Sequence, residues 1–282
     1  MYKKEKILYL QKKALEMRKD CIEMGYFAGN HGAHFGPALS CIEALACLYF
    51  GIMNHNPKYP EKPDRDRFVL SKGHACLSYY AALVEAGYIK KEQMAAFKGD
   101  DSFLSGHPGC HPEYGLEVAS GSLGNGFAVA CGIAMAAKIK QETHRVYSVV
   151  GDGECNEGVV WEAAMNAAKY KLDNLIVIVD YNGFQLSGRT CDVMDMELET
   201  VWSAFGWEVR FVSDGNDVES ILTALEEMKE SASGKPHVII AATLKGKGVS
   251  FMEANLNWHA APINRELYEQ AKSELAAVQM EG

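Results

Sequence analysis

Two short polar motifs stand where apolar segments of the sequence end. Gly151-Asp152-Gly153 follows the apolar run 145–150, and Asn182-Gly183 follows the β-branched run 174–179. Such runs predict parallel strands, and the carboxyl ends of neighbouring parallel strands meet at one edge of a sheet. Mg²⁺ takes one or two oxygen ligands from protein, with phosphate and water completing an octahedron. Asp152, Asn182 and the backbone carbonyl of Phe184 are therefore predicted to hold a divalent cation and a diphosphate.

Either motif alone would be interpreted as an ordinary turn, because Asp, Asn and Gly are common turn residues. Their position after successive strands favours the functional interpretation instead. The N–H of Gly153 adds to it, because it stands near the start of the helix predicted over 157–170, where an anion is favoured.

The elements that must position these motifs alternate along the chain. Strands are predicted at 68–70, 145–150, 174–179, 207–212 and 237–242, and helices at 5–24, 38–50, 75–86, 127–140, 157–170 and 217–230. Repeated strand–helix units imply an α/β fold with a doubly wound, mostly parallel sheet flanked by helices. The aperiodic, glycine-rich stretch 98–126 predicts a long functional loop. We expect one domain over residues 1–282.

The composition excludes several classes of protein. The chain has 282 residues, of which 48% are hydrophobic and 23% charged, so a mostly disordered chain is excluded. A formal net charge of −9 argues against binding nucleic acid by bulk electrostatics. The eight cysteines form no CxxC pair, which excludes zinc-ribbon and thioredoxin-type sites. Without a signal-peptide core or an apolar run of transmembrane length, we expect a cytoplasmic protein with reduced thiols and no membrane partner.

Several separate blocks make the sequence resemble the N-terminal, cofactor-diphosphate-binding part of transketolases over nearly its whole length. They are the segment 64–74, Cys110-His111-Pro112-Glu113, the loop 121–126, and the closing segments 245–253 and 258–262, together with the Gly-Asp-Gly and Asn motifs. The resemblance implies a thiamine-diphosphate-binding fold. It also implies transfer of a two-carbon ketol unit from a ketose phosphate to an aldose acceptor, with thiamine diphosphate as the electron sink.

The resemblance assigns roles to individual residues. Asp152, Asn182 and the Phe184 carbonyl would bind Mg²⁺ or another divalent cation. The implied cofactor contacts are His74, Gly121, Ser122, Leu123, Asp152, Gly153, Glu157, Asn182 and His259. The implied catalytic residues around the reacting carbon are His34, His74, His111 and His259. Histidine suits their task because it titrates closest to neutral pH, and each step moves a proton at a sugar oxygen. Glu157 would lie near a subunit interface.

Two of the histidine assignments compete with neighbours. His34 is preferred over His31, although Phe35 departs from the usual family pattern there. His111 is preferred over His107 because the residues that follow it keep the family spacing, although His107 also stands in a Gly-His-Pro sequence. Structural hydrogen bonds are expected for His31, His55, His107, His144 and His237. A phosphate-binding patch and a solvated rim are both open interpretations of Lys245, Lys247 and Arg189.

The family's following domain has no counterpart in this sequence. In the family that domain carries the glutamate that protonates the aminopyrimidine and most basic residues that hold sugar phosphates. We therefore expect a split transketolase, in which this chain needs a separately encoded C-terminal subunit and two such pairs form a heterotetramer. The same chemistry on a branched or sulfonated sugar is an alternative. A non-catalytic scaffold or regulator is an alternative of another class.

Overall fold

A five-stranded parallel sheet forms the centre of the computed structural model, which describes residues 3–278. Its strands are β1 (Arg67–Leu70), β2 (Val146–Gly151), β3 (Leu175–Tyr181), β6 (Glu208–Val212) and β7 (His237–Ala242), in the order β1-β2-β3-β7-β6. Every neighbouring pair in this sheet is parallel. A two-residue antiparallel hairpin, β4 (Phe184–Gln185) and β5 (Gly188–Arg189), leaves the end of β3. The predicted parallel α/β architecture is confirmed.

Ten α-helices flank the sheet within the part of the chain that the structure describes. They are α1 (Lys3–Phe27), α2 (Phe35–Leu39), α3 (Ile42–Cys47), α4 (Cys76–Ala86), α5 (Asn125–Ile139), α6 (Gly158–Lys169), α7 (Thr190–Val193), α8 (Leu198–Ala204), α9 (Val218–Glu230) and α10 (Arg265–Ala276). None of these described helices combines the length and hydropathy that a bilayer span requires.

The sheet separates two apolar layers. Along β3, Ile176 and Ile178 face the larger layer with α1 to α4, α9 and α10, whereas Val177 and Val179 face α5, α6 and α8. Burying each such side chain stabilises the fold by about 1.5–3 kcal/mol, and a strand covered on both faces has no mobile surface. The carboxyl ends of β2 and β3 are therefore firmly held positions.

One predicted helix is divided. The segment 38–50, expected as a single helix, is split into α2 and α3, and a wide helical turn over Leu48–Ile52 follows. Ser40 stands at the break, and its hydroxyl donates to Asp180 Oδ2 at 2.6 Å. The interruption thus brings a hydrogen-bond donor to the carboxyl end of β3, which an amphipathic pattern alone does not predict.

The predicted long loop is found between α4 and α5. Its regular structure is confined to short 3₁₀ turns at Lys91–Ala96 and Pro112–Tyr114. All eight cysteines are free thiols, and only Cys110 in this loop and Cys191 on α7 are exposed.

Candidate active site

β2 and β3 end side by side, and the loops that leave them share one carboxylate. The sheet register pairs Gly151 with Asp180. Asp152 Oδ1 accepts a hydrogen bond from the N–H of Gly153 at 2.8 Å, and Oδ2 accepts one from the N–H of Gly183 at 2.6 Å. Asp152 and Asn182 both line the same cavity. The structure therefore brings together the two motifs on which the metal prediction depends.

The surroundings of Asp152 fit a divalent cation. The residue is 5% exposed. Burial, followed by the charge of Asp180, raises the pKa of Asp152 to about 6. A bound cation would reverse that shift, because an opposite charge favours the ionised carboxylate. No cluster of three or more His, Cys, Asp or Glu side chains is arranged for a metal among residues 3–278. Mg²⁺ here would thus combine one carboxylate, the Asn182 amide oxygen and the Phe184 carbonyl with phosphate and water oxygens.

Asp180 lies behind Asn182 and fixes the orientation of its amide. Asp180 is 1% exposed. Its Oδ2 accepts from Asn182 Nδ2 at 2.8 Å, from Ser40 Oγ and from Lys72 Nζ, and its Oδ1 accepts from Thr243 Oγ1 at 2.5 Å. An amide nitrogen can only donate, so this contact turns the amide oxygen away from Asp180. Such supporting partners commonly change metal affinity by about 10–100-fold when they are removed.

Lys72 and Asp180 form an ion pair, and both are buried. Burial alone would lower the pKa of Lys72, but the charge of Asp180 raises it above its ordinary value. Burial would raise the pKa of Asp180, but the charge and hydrogen bond of Lys72 lower it. Both groups stay ionised and neutralise each other. Asp152 is thereby left as the acid at this edge whose charge an external cation would balance.

Lys245 supplies a second buried positive charge. It is 1% exposed, and its Nζ lies 3.1 Å from His259 Nδ1. Burial, followed by the charge of Lys72, lowers the pKa of Lys245 to about 8, so the group is still mostly protonated at neutral pH. Such a cation favours an anionic ligand. Lys247 and Arg189 do not line this cavity.

The cavity has a volume of about 390 Å³. Of the predicted cofactor contacts, it is lined by His74, Gly121, Leu123, Asp152, Gly153, Glu157, Asn182 and His259, and it is also lined by Phe184. Ser122 does not line it. The Ser122 carbonyl accepts from the N–H of Asn125 at 3.3 Å, at the start of α5.

Glu154 joins the loop before α5 to the sheet edge. Its buried carboxylate accepts from the N–H of Gly124 at 2.6 Å, from the N–H of Gly151 at 2.9 Å and from the hydroxyl of Ser71. Gly124 has φ +80°, and a Cβ there would lie 2.4 Å from Val159 Cγ1. Only glycine fits this turn, which sets the loop against the cavity.

Four histidine rings meet at the other end of the cavity. The His34 ring centroid lies 5.6 Å from that of His74, 5.7 Å from that of His107 and 5.7 Å from that of His259. The rings of His74 and His259 are stacked at 5.3 Å. The structure thus brings together three of the four predicted catalytic histidines, with His107 as the fourth ring. His31 is exposed and outside this cluster, so the choice of His34 over His31 agrees with their positions.

His111 lies away from the cluster, and its assignment needs correction. Its ring packs 5.6 Å from that of Phe103, and its Nδ1 lies 3.5 Å from Glu113 Oε1. It forms a backbone bridge with Leu116 and precedes the 3₁₀ turn Pro112–Tyr114, which diverts the chain from the cavity. His107 lines the cavity instead. The available signal was its Gly-His-Pro sequence, which the spacing downstream of His111 outweighed in the prediction.

The clustered histidines are held neutral. Burial, followed by repulsion from neighbouring imidazoles and lysines, lowers the pKa of His34 to about 4. Burial and the charge of Lys245 lower the pKa of His259 to about 3. The pKa of His74 lies well below its ordinary value for similar reasons, and burial lowers that of His107 as well. A neutral imidazole can both donate and accept a hydrogen bond, which suits proton transfer at hydroxyl groups.

The chain is similar to known proteins in sequence and in fold. The family described as transketolase, thiamine diphosphate binding domain, matches residues 18–279. One of the two subunits of the apulose-4-phosphate transketolase of Actinobacillus succinogenes is 43% identical over 267 residues, covering 94% of this chain and 95% of that protein. The 6-deoxy-6-sulfo-D-fructose transketolase subunit SqwG of Clostridium sp. is 40% identical over 273 residues, covering 96% and 98%.

Longer relatives match over part of their length. Human transketolase is 36% identical over 96% of this chain, which spans 42% of that protein. The solved transketolase of Leishmania mexicana superposes with a TM-score of 0.87 at 30% identity, over 95% of this chain and 41% of that one. The chain thus corresponds to about two fifths of these longer proteins and to nearly all of the separately named subunits.

Proposed function

We propose, from the premise that this chain belongs to the transketolase family, that it is the diphosphate-binding subunit of a split transketolase. The pair would transfer a two-carbon ketol unit from a ketose phosphate to an aldose acceptor. One observation carries the proposal: a metal-type oxygen set on two strand tips and a cluster of neutral histidines open into one cavity. Relatives of nearly the same length are named as transketolase subunits.

The residues at the two ends would divide the work. Asp152, Asn182 and the Phe184 carbonyl would hold Mg²⁺, and Lys245 would balance charge on the cofactor's diphosphate. Bound thiamine diphosphate would supply the carbanion and the electron sink for cleaving and forming the carbon–carbon bond. His34, His74, His107 and His259 would orient the sugar hydroxyls and carry protons to and from their oxygens. General acid–base groups of this kind typically contribute about 10²–10⁴-fold to the rate.

Two exposed apolar surfaces support a need for partners. One lies on α5 and α6 and includes Val129, Ile139 and Met165, of which Ile139 is 75% exposed. The other lies beside the cavity and includes Leu186, 75% exposed, and Met194. Exposed apolar groups that cluster in this way are typical of protein–protein contacts. We infer that a second copy covers the first surface and the complementary C-terminal subunit covers the second, which gives a heterotetramer with Glu157 near the contact.

Reconstitution tests the split arrangement. Ketol transfer from a ketose phosphate should be undetectable with this chain alone and should appear when a complementary transketolase C-terminal subunit is added. Sedimentation should then give the mass of two pairs, and Met165→Glu should reduce it to one pair. Robust turnover by this polypeptide alone would refute the proposal.

The names of the relatives favour a second candidate substrate class. Two of them act on apulose-4-phosphate or 6-deoxy-6-sulfo-D-fructose. A branched or sulfonated sugar is therefore an alternative donor, and a donor panel with the reconstituted pair distinguishes it from ordinary ketose phosphates. A scaffold without catalysis would require these site residues to be idle. We also propose a cytoplasmic location, supported by the eight free thiols.

A further inference from the structure

We propose that Lys98 is a positioning residue that holds the loop carrying His34 against the loop carrying His107. It would also keep a fixed positive charge beside both imidazoles. The inference rests on the proposed function for its catalytic consequence. Its structural part, a clamp between two loops, is testable on this chain by itself.

The contacts of Lys98 reach both loops. Its Nζ donates to the carbonyl of Gly32 at 2.8 Å and to that of His31 at 3.2 Å. Its own N–H donates to the carbonyl of Leu104 at 2.8 Å, within the loop that continues to His107. Its stem crosses that loop closely, since a Cβ on Gly106 would lie 2.7 Å from Lys98 Cε. One side chain therefore ties together two irregular segments that no sheet joins.

The opposite side of the His34 loop is held by backbone. The N–H of Ala33 donates to the carbonyl of Ala261 at 3.0 Å, and the N–H of Ala261 donates back at 3.1 Å. Gly32 has φ +59°, and a Cβ there would lie 2.8 Å from the Ala261 carbonyl carbon. This bridge ties His34 to the segment that bears His259. Lys98 is the matching tie to the segment that bears His107, so removing it frees one side only.

The ammonium of Lys98 also acts on the two imidazoles through charge. The groups that face His34 are His74, His107, His259, Lys98 and Lys245. After burial, the charge of Lys98 is one of the causes that lower the pKa of both His34 and His107. Replacing Lys98 by a neutral residue of similar length should therefore raise both values. A purely structural lysine elsewhere on the surface would not have this effect.

Three variants separate these roles. Lys98→Met removes the charge and the donors but keeps the stem, whereas Lys98→Arg keeps both. Lys229→Met is the matched control, because Lys229 is also half-buried and donates to a backbone carbonyl, that of Ile52 at 2.8 Å, away from the cavity. Histidine ring signals of the isolated chain are followed by NMR from pH 4.5 to 8. His34→Gln and His107→Gln spectra assign them.

The expected result has two parts. In Lys98→Met, the His34 and His107 titrations should move to higher pH by about 0.5 pH unit, and in Lys98→Arg and Lys229→Met they should not move. In the reconstituted pair, kcat should fall about tenfold with Lys98→Met, and its acid limb should move to higher pH. Thiamine diphosphate affinity should stay within about twofold, because Lys98 does not line the cofactor cavity.

Unchanged titrations in Lys98→Met would overturn the proposal. So would a loss of kcat that Lys229→Met reproduces, or one that Lys98→Arg fails to rescue. Absence of ketol transfer in the unmodified pair would refute the proposed function, and the NMR titrations would still decide independently whether the clamp exists.

Discussion

The cavity has two ends that are built by different means. The diphosphate end, around Asp152 and Asn182, stands on the tips of two strands that are buried on both faces. The histidine end, around His34 and His107, stands on loops that are tied by one backbone bridge and one lysine. The first end gains its geometry from the same burial that stabilises the sheet. The second gains it from a few local contacts, so its geometry is the easier of the two to disturb.

The two ends also differ in how charge is treated. At the diphosphate end, Lys72 and Asp180 neutralise each other in a fixed pair, which leaves Asp152 to an external cation. At the histidine end, burial and neighbouring cations remove charge, so the imidazoles stay neutral. An end that binds ions and an end that moves protons thus lie side by side. The comparison predicts a graded set of mutational effects.

The largest effect is expected from Asp152→Asn. The substitution keeps the shape but removes the carboxylate charge that a divalent cation needs. Thiamine diphosphate with Mg²⁺ should bind at least about 100-fold more weakly, and ketol transfer should fall below detection. Calorimetric titration of the reconstituted pair measures the binding. His34→Gln is the control and should bind the cofactor normally, so equal affinity in Asp152→Asn and the unmodified protein would contradict the assignment.

The next effect distinguishes two histidines. His107→Gln should lower kcat by about 10² or more, because a group that carries protons at the reacting hydroxyls is lost. His111→Gln should change kcat less than about twofold, because that ring packs on Phe103 outside the cavity. Steady-state kinetics of the two variants are compared at one pH. The reverse ranking would restore the assignment made from the sequence.

A smaller effect is expected at the support of the metal site. Thr243→Val keeps the shape of the side chain and removes its hydrogen bond to Asp180 Oδ1. Asp180 then holds the Asn182 amide less firmly, and Mg²⁺ affinity should fall about tenfold. Equilibrium titration with Mn²⁺, followed by electron paramagnetic resonance, measures this without turnover. If affinity is unchanged, Asn182 does not depend on this support.

The smallest effect concerns acid. The folded pKa of His34, about 4, lies below the unfolded value of about 6.5. The unfolded chain therefore binds more protons in that window, and the stability contribution, complete above about pH 6.5, is lost as pH falls towards 4. After allowance for solvent screening this amounts to about 1 kcal/mol. Thermal unfolding between pH 7.5 and 4.5 should thus be less acid-sensitive in His34→Gln than in His31→Gln, where an exposed histidine is removed.

The difference between the two ends also explains what could be predicted from the sequence. β2 and β3 are continuous apolar runs, so their positions and the polar residues after them could be assigned directly. Parallel strands fix where their ends meet, and the pairing of Asp152 with the Asn182 loop followed. Asp180 was missed, although a lone acid at the end of the apolar run of β3 was a usable signal.

The histidine end could be predicted only in part. His34, His74 and His259 stand in recognisable blocks, but the loop 98–126 contains two His-Pro pairs and no periodicity. The turn at Pro112–Tyr114 decides which of them reaches the cavity, and that depends on long-range contacts such as the tie from Lys98 to Gly32. The split of the 38–50 helix has a similar origin, because Ser40 serves a partner 140 residues away.

The buried Lys72–Asp180 pair has a consequence for the order in which an enzyme of two polypeptides is put together. Every group that would grip the anionic tail of the cofactor comes from this single chain. We therefore expect the newly made subunit to capture that tail first and to dock with its complement afterwards, already loaded.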